Sequence, residues 1–273
     1  MPDPDLLIVG GSVRAAAWCA VRAGLKVAAL DRFNDLDLKA VAEPCFLWDG
    51  SDEQVERVVG DLRVPWMYTG PLENRPDLID RCAELAPLRG NPGNVLRRVR
   101  DPFELHAALT AFRRAEPDHE RILRVLDVRS SDDPPPFAPA DWATNPQLFA
   151  SEEPPWLLKP LNSCGGSGIA VWEEAAAEHP TLSRSHYFQR ITSTGTVLPC
   201  SVSAEAVAGG VRPLGVCRNG RIQQLGRRLP RFDDPLLYGG PYAATLRLVS
   251  LLEHLRDWFG LQGLFGVDLL CDP

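Results

Sequence analysis

Short apolar runs alternate with segments of helical periodicity over the first ninety or so residues. "DLLIVGG" and "KVAALD" predict buried strands, and "SVRAAAWCAVRAG" between them predicts a helix that Ser12 can cap and Gly24 can end. Further segments continue the alternation to give roughly three to four strands: "FLWDG", "QVERVVGDL", "PWMYTG" and "PDLIDRCAELAPL". A strand, a glycine turn, a helix and a second strand in this order predict a parallel, Rossmann-like sheet.

The pattern changes in the second part of the chain. "RGNPGNVLRRVRDPFELHAALTAF" predicts a turn followed by helices, and the Pro- and Asp-rich stretch from Ser130 to Pro155 predicts a surface loop. "WLLKPL" and "GIAVWEE" predict two strands around a glycine-rich loop. "HYFQRI", "VLPCSVSAEAVA" and "VRPLGVCRNGRIQQLG" then follow a strand–turn rhythm typical of an antiparallel sheet. An amphipathic helix ending at Gly260 precedes a last apolar strand, "GLFGVDLLCDP".

Composition and charge exclude several classes of protein. The chain has 273 residues with 45% hydrophobic and 24% charged content, which is ordinary for a globular protein. A formal net charge of -7 argues against a general nucleic-acid binder, which needs a basic face for phosphates. No segment resembles a signal peptide or a membrane span. The seven cysteines occur singly without a C-x-x-C motif, so reduced thiols in a cytoplasmic protein are expected.

The loop "KPLNSCGGSGI" is the strongest candidate for binding chemistry. In a P-loop the lysine follows the glycines and a helix begins at once, whereas here Lys159 precedes them and an apolar strand follows. The glycines at 165, 166 and 168 can point successive backbone N–H groups at phosphate oxygens, with Ser163 and Ser167 as hydroxyl donors. Lys159 would add a positive charge to the same phosphates. The alternative is an ordinary hairpin turn beside a solvated lysine.

A dinucleotide site near the N-terminus is a weaker hypothesis. "GGSVRAA" lies between a strand and a helix, but it has adjacent glycines where the fingerprint requires G-x-G-x-x-G. Asp31 ends the second strand, where a ribose-binding carboxylate would lie. This pattern keeps an NAD-binding enzyme open as an alternative.

Two later segments extend the nucleotide hypothesis. The backbone of Gln189, Arg190 and Ile191 in "YFQRI" can bond the edge of an adenine while apolar side chains cover its faces. Asp268 is a single acid inside the apolar strand "LFGVDLL", where a carboxylate is costly unless it is paired or binds a metal. The alternative for Asp268 is an outward-facing position on a half-exposed strand.

The ordered combination of these segments resembles the ATP-grasp superfamily over nearly the whole chain. The matching features are the Rossmann-like first domain, the linker helix preceded by "VRDP", the lysine and glycine lid of "WLLKPLNSCGGSGI", the hinge of "YFQRITSTGTVLPCSVS" and the acid-bearing strand "GLQGLFGVDLL". The resemblance implies an α/β fold with a Rossmann-like pre-ATP-grasp domain followed by an ATP-grasp part of two α+β subdomains. The implied boundaries are a first domain at 1–90, linker helices at 91–117, an N-subdomain with the lid at 118–190 and a C-subdomain at 191–273.

The resemblance also implies roles for individual residues. Lys159 would contact the ATP phosphates and the purine edge, and Asp268 would bind Mg²⁺. Arg100 of "VRDP", or Arg98 as second choice, would be the basic residue of the linker that helps to bind the cofactor. The lid would comprise Ser163, Gly165, Gly166, Ser167 and Gly168, and the adenine hinge Gln189, Arg190 and Ile191. In the basic run "CRNGRIQQLGRR", Arg228 is the candidate for neutralising a transferred phosphoryl group, and a solvated hairpin face is the alternative.

The sequence departs from the family pattern in two places, and its lid contains a cysteine. The family's metal site is completed by a Glu and an Asn on a strand that follows the Asp-bearing strand, and this sequence stops at Asp272-Pro273. We therefore expect either an incomplete C-subdomain, which an apolar strand without its partner favours, or a degenerate site. The hinge lacks the Glu-rich pattern of many members. Cys164 in the lid has no neighbouring histidine, which favours a small loop residue over a nucleophile.

The resemblance implies an ATP-dependent carboxylate–amine ligase with ATP and Mg²⁺ as cofactors. Its partners would be a small carboxylate and an amine, with neither nucleic acid nor membrane, and members of the family are often homodimers. The opening segment is similar to members associated with methanopterin-linked one-carbon metabolism. A nucleotide-binding sensor or scaffold without catalysis is the alternative from another class.

Overall fold

The computed structural model describes residues 3–115, 123, 125–138, 155–163, 167–172, 185–191, 198–218 and 243–271. The chain divides into two compact units, residues 1–97 and 98–273. Within these described ranges, none of the helices is both long and apolar enough to cross a membrane.

The first unit is a parallel sheet covered by helices on both faces. Its strands are β1 Leu6–Gly10, β2 Val27–Asp31, β3 Ala42–Leu47 and β4 Trp66–Tyr68, in the spatial order β3-β2-β1-β4. The helices are α1 Arg14–Arg22, α2 Leu36–Lys39, α3 Asp52–Leu62 and α4 Pro76–Leu85, with a short 3₁₀ helix at Leu72–Asn74. Helix α5, Gly93–Val99, begins in this unit, and its last two residues belong to the second. The predicted Rossmann-like order is therefore present, with four parallel strands.

Alternation along β1 explains why both sheet faces are buried. Leu7 and Val9 belong to the core that includes Val55 of α3, while Ile8 packs in the core that includes Ala17 of α1. Side chains of successive strand residues point to opposite faces, so a run of apolar residues supplies both cores at once. This is why "LLIV" has no polar alternation.

The end of α1 agrees with the sequence, but its beginning does not. Gly24 has φ +88° and its N–H donates to Val21 O at 2.9 Å, as expected for a glycine after the last helical turn. The predicted Ser12 cap is wrong, because the N-cap position is Val13 and its side chain makes no capping bond. The N–H of Val13 instead donates to Asp31 Oδ2 at 2.7 Å.

The described residues of the second unit form two separate sheets. One has the order β5-β8-β6-β7, from β5 Val128–Ser130, β6 Trp156–Pro160, β7 Ala170–Val171 and β8 His186–Arg190. The other has the order β10-β9-β11, from β9 Leu198–Val207, β10 Gly210–Arg218 and β11 Gly263–Cys271. Every strand pairing in the two sheets is antiparallel, as the sequence pattern predicts.

Two long helices complete the described part of this unit, α6 Pro102–Ala115 and α7 Ala243–Phe259. Helix α7 packs Leu248 and Leu252 on one face of the β10-β9-β11 sheet, against Val202. Its other buried side chains pack against Phe112 of α6. Gly260 has φ +72° and follows the last residue of α7, which confirms the predicted end of this helix. One face of the β10-β9-β11 sheet is thereby covered.

Candidate functional site

Lys159 lies on β6 on the opposite sheet face from the aromatic core of its sheet. Antiparallel pairing places Lys159 opposite Tyr187 and Leu157 opposite Gln189. Because side chains alternate along a strand, Lys159, Tyr187 and Gln189 share one face, while Trp156 and Phe188 are buried on the other. The Lys159 ammonium donates to Gln189 Oε1 at 2.8 Å and lies 5.7 Å from the centre of the Tyr187 ring.

The charge of Lys159 has no counter-ion among the residues that the structure describes. Its hydrogen-bond partner is a neutral carboxamide, and none of the ion pairs found in the described ranges includes it. Partial burial lowers the pKa of Lys159 from its ordinary value, because water no longer solvates the ammonium fully. A partly buried cation held by a neutral group is well suited to bind an anion.

Arg100 lies between the helices α5 and α6 and reaches the residue that precedes the glycine turn. Its Nη2 donates to the backbone oxygen of Ser163 at 2.8 Å. Its Nε is buried and has no hydrogen-bond partner in the described part of the chain. Burial raises the pKa of Tyr187, and the nearby charge of Arg100 lowers it by a smaller amount.

Arg98, the second choice for the same role, has a structural function. Its guanidinium donates to Glu104 Oε1 at 2.5 and 2.8 Å, and to the carbonyl oxygen of Trp258 at 2.8 Å. It also lies 5.5 Å from the ring centre of Phe259. Arg98 therefore satisfies carbonyl groups at the end of α7, as a basic residue at a helix C-terminus commonly does.

The glycine turn joins two antiparallel strands, as the sequence predicts. Leu157 pairs with Val171 and Leu158 with Ala170 across it. Gly168 has φ +76°, and a Cβ at this position would lie 2.9 Å from Pro160 Cγ, so both its conformation and its surroundings require glycine. Ser167 is exposed. Cys164, Gly165 and Gly166 lie outside the described residues.

The proposed adenine hinge already uses two of its backbone donors. The N–H of Arg190 donates to Asp127 O and the N–H of Ile191 to Pro155 O, both at 2.9 Å. In this arrangement neither N–H can bond an adenine, whereas the side chain of Gln189 points to the face that carries Lys159. The Arg190 side chain pairs with Asp127 at 3.2 Å. Residues 192–197, which follow the hinge, lie outside the described ranges.

Asp268 lies on the face of the β10-β9-β11 sheet that α7 leaves open. It is exposed, and Ser201 Oγ on the neighbouring strand donates to its Oδ1 at 2.6 Å. Its position agrees with an outward-facing residue on a half-exposed strand, and its role in metal binding stays a prediction. Within the described ranges, no group of three or more His, Cys, Asp or Glu side chains could hold a metal ion.

The open face also carries polar residues that the sequence analysis did not single out. Gly215 and Gly266 flank Ser203 on the two neighbouring strands, and Glu205 forms an ion pair with Arg212 further along. This arrangement becomes visible only when the register of β9 with β10 and β11 is known, and the sequence does not give that register. Tyr187 was missed as well, although its position two residues before Gln189 places both side chains on one strand face. Arg228 lies outside the described residues.

In the first unit, the residues considered for a dinucleotide site have structural roles. Asp31 is buried, and its two oxygens accept the backbone N–H groups of Val13, Phe33 and Asn34 at 2.7–2.8 Å. A Cβ on Gly10 would lie 1.9 Å from Thr69 Oγ1. The carboxylate therefore fixes the surrounding loops, and the glycine allows close packing of the β1 and β4 ends.

Comparisons with known proteins give structural matches only. No family model matches the chain, and no curated protein matches it. N5-carboxyaminoimidazole synthetase from Staphylococcus aureus, solved with ADP, matches with a TM-score of 0.65 and 15% identity, over 98% of this chain and 66% of that chain. Carboxyaminoimidazole ribonucleotide synthase from Aspergillus clavatus, solved with ATP, gives 0.63 and 14%, over 99% and 69%.

A third match is the biotin carboxylase domain dimer of the Hydrogenobacter thermophilus 2-oxoglutarate carboxylase. It was solved with MgADP, ADP and bicarbonate, and gives a TM-score of 0.62 at 12% identity over 100% of this chain and 62% of that chain. This chain thus spans about two thirds of the length of these structures. At such identities the matches establish the fold. Together with the two antiparallel sheets and the Rossmann-like first unit, they show that this chain has the fold of these synthetases and biotin carboxylases, in agreement with the fold that the sequence resemblance implies.

Proposed function

We propose that this protein is an ATP-dependent carboxylate–amine ligase of the ATP-grasp type. The observation that carries the proposal is the Lys159 ammonium, which is fixed by the neutral Gln189 side chain beside a glycine turn and has no described counter-ion. The unsatisfied Nε of Arg100 adds a second donor close to the same turn. Support from outside the chain is that structures of the same fold were solved with ADP, ATP or MgADP.

The site residues would act by positioning a triphosphate and offsetting its charge. Lys159, Arg100 and the backbone of the turn from Ser163 to Gly168 would bind phosphate oxygens, and Gln189 would lie near the purine edge. A carboxylate oxygen of the substrate would attack the γ-phosphorus, the bond from that phosphorus to the bridging oxygen would break, and ADP would leave. An amine would then attack the acyl carbon, lose a proton and displace phosphate.

Asp268 is the described residue that fits Mg²⁺. It is an exposed carboxylate, and Mg²⁺ is commonly held by one or two carboxylates together with substrate phosphates and water. A single acid therefore meets the minimum requirement for a Mg²⁺ site that is completed by phosphates and water. When bound, Mg²⁺ would neutralise part of the phosphate charge. Arg228 would neutralise negative charge on the transferred phosphoryl group.

The substrates, the oligomeric state and the location of the protein are also part of the proposal. Bicarbonate is our first candidate for the acid, since a structure of this fold was solved with it, and that structure's dimeric state supports a homodimer here. An amine is expected as the acceptor. Four cysteines in the described ranges, at 19, 45, 82 and 200, are free, which supports a reducing, cytoplasmic location. The association with methanopterin-linked metabolism stays a prediction from sequence.

Two measurements test the proposal. Calorimetric titration with ADP and with NAD, each with and without Mg²⁺, should show binding of ADP that Mg²⁺ strengthens, and weaker or no binding of NAD. ATP turnover should then release ADP only when a suitable carboxylate is present, with bicarbonate and a panel of small acids as candidates. Hydroxylamine should trap an activated organic acid as its hydroxamate.

The outcomes separate the alternatives. Tight binding of NAD without a response to MgADP would support a dinucleotide enzyme and overturn the ligase proposal. Binding of MgADP without ADP release for any acid or amine would favour the sensor or scaffold. Carboxylate-dependent release of ADP would support the ligase.

A further inference from the structure

The contact between Lys159 and Tyr187 is not explained by the roles assigned so far. The ammonium lies 5.7 Å from the centre of the Tyr187 ring, within the range in which a ring face attracts a cation. The two residues are direct cross-strand partners of β6 and β8. Gln189, the hydrogen-bond partner of Lys159, is the diagonal neighbour on the same strand as Tyr187.

The two contacts together fix the ammonium from two sides. Lysine carries four rotatable side-chain bonds, so without such contacts its charge would sample many positions. A carboxylate would fix it more strongly, but it would also neutralise the charge that a phosphate has to meet. A ring face and a carboxamide hold the cation and leave its net charge unchanged.

We propose that Tyr187 is a positioning residue for the phosphate-binding ammonium of Lys159, and that it acts through the face of its ring. The inference rests on the proposed nucleotide-binding function. It predicts that an aromatic ring at position 187 is required and that the phenolic hydroxyl is not. The role therefore differs from hydrogen bonding by the phenolic hydroxyl. It also differs from filling of the core, because the buried aromatic cluster of Trp156, Trp172 and Phe188 lies on the opposite face of the sheet.

The surroundings make the effect measurable without bound nucleotide. The charged or titratable groups that the structure places around this contact are Tyr187 itself and Arg100, whose charge lowers the pKa of Tyr187 against the larger effect of burial. Burial alone lowers the pKa of Lys159. Loss of the ring removes a stabilisation of the ammonium, so the pKa of Lys159 should fall further.

The test compares Tyr187→Phe, Tyr187→Leu and Tyr187→Met in two assays. The first measures the affinities for ADP and for adenosine. A change that acts on the phosphates alters the ratio of these two affinities, whereas a general distortion of the site lowers both. The second measures acetylation of Lys159 in the ligand-free protein by mass spectrometry as a function of pH. Circular dichroism verifies that each variant is folded.

Tyr187→Phe should match the parent in both assays. Tyr187→Leu and Tyr187→Met should bind ADP about fivefold more weakly, the order expected from a partly desolvated cation–ring contact, with adenosine affinity unchanged. Their acetylation midpoints should move to lower pH. Arg129→Leu is the matched control, since it removes a cation–ring contact of 5.2 Å with Trp156 on the other sheet face and should change neither measurement.

Each result decides the question. A loss of ADP affinity in Tyr187→Phe would overturn the ring-face role, even if the leucine and methionine variants failed to fold. Unchanged affinity ratios and midpoints in the folded Leu or Met variants would overturn it as well. A parent protein that binds no ADP would reject the proposed function separately, while the acetylation midpoints would still report on the contact between Tyr187 and Lys159.

Discussion

The Lys159 ammonium donates a 2.8 Å hydrogen bond to the carboxamide oxygen of Gln189, a diagonal neighbour across the β6–β8 pair. The choice of a neutral acceptor has an electrostatic consequence. An ion pair at this position would cancel most of the local field, whereas the carboxamide orients the ammonium and leaves its full charge. Arg100, which donates to the backbone oxygen of Ser163, adds a second positive charge beside this strand.

Replacement of Lys159 by methionine should weaken binding of MgADP by about 10- to 100-fold, the range expected for loss of a charge-assisted hydrogen bond to phosphate. Isothermal titration calorimetry measures the change. Lys26→Met, at an exposed position in the first unit, is the control and should bind like the parent. Equal affinities of Lys159→Met and the parent would contradict the placement of phosphate at this ammonium.

The same substitution should alter how stability depends on pH. The pKa of Lys159 is lowered in the folded state, so between that value and about 10.4 the unfolded chain binds more protons than the folded chain. In this pH window the contribution of Lys159 to the free energy of unfolding rises with pH. At pH values below the window, burial of the charged ammonium lowers stability by its full amount. Lys159→Met should therefore be at least as stable as the parent at pH 7. Urea unfolding at several pH values should show this advantage shrinking towards pH 10, and an advantage that grows with pH would contradict the sign.

Gln189→Glu should place a carboxylate next to the Lys159 ammonium and raise the pKa of the lysine. Acetylation of Lys159 in the ligand-free protein should then require higher pH than in the parent. Gln189→Met, which removes the acceptor without adding a charge, is the matched control and should not move the acetylation midpoint upward. A glutamate variant with the parent's midpoint would show that the two side chains do not remain in contact in solution.

Gly10→Ala should destabilise the first unit by about 1–3 kcal/mol, because overpacking of a close contact forces neighbouring atoms to shift. The added Cβ would lie 1.9 Å from Thr69 Oγ1. Thr69→Ala in the same chain should restore part of the loss, since it removes that oxygen.

Gly60→Ala should have the opposite sign and stabilise by about 0.5–1 kcal/mol, because Gly60 lies within α3 and a Cβ there makes only an ordinary 3.6 Å contact. Chemical denaturation measures all three, and equal effects at positions 10 and 60 would contradict the packing argument.

Features encoded by neighbouring residues could be predicted from the sequence. The strand, lysine, glycine turn and returning strand from Trp156 to Val171 follow one another directly, and the turn needs glycine for a local reason, the φ of +76° at Gly168. Parallel pairing in the first unit and antiparallel pairing in the second also follow from the order and spacing of apolar runs.

Features that depend on residues far away in the sequence could not be predicted from it. The sequence suggested a ribose contact for Asp31, but the direction of three backbone N–H groups, one of them 18 residues away, decides its role. The missing Ser12 cap has the same cause, because the carboxylate of Asp31 reaches the N–H of Val13. Tyr187 acquires its importance only when the β6–β8 register places it opposite Lys159.

Arg98 and Arg100 are two residues apart and chemically identical, and their substitution by methionine should give opposite phenotypes. Arg98 is bonded to Glu104 and to the end of α7 some 160 residues away, so Arg98→Met should lower the free energy of unfolding by about 1–3 kcal/mol. Nucleotide affinity of the folded Arg98→Met protein should be unchanged. Arg100 carries a buried Nε without a described partner and is our proposed phosphate-binding arginine, so Arg100→Met should remove a group that binds nucleotide. We expect about 5- to 30-fold weaker MgADP binding, with little loss of stability, since among the described residues the fold loses one hydrogen bond, the one to Ser163. Urea unfolding and calorimetry on the two variants measure both quantities, and a reversed pattern would assign the phosphate-binding role to Arg98.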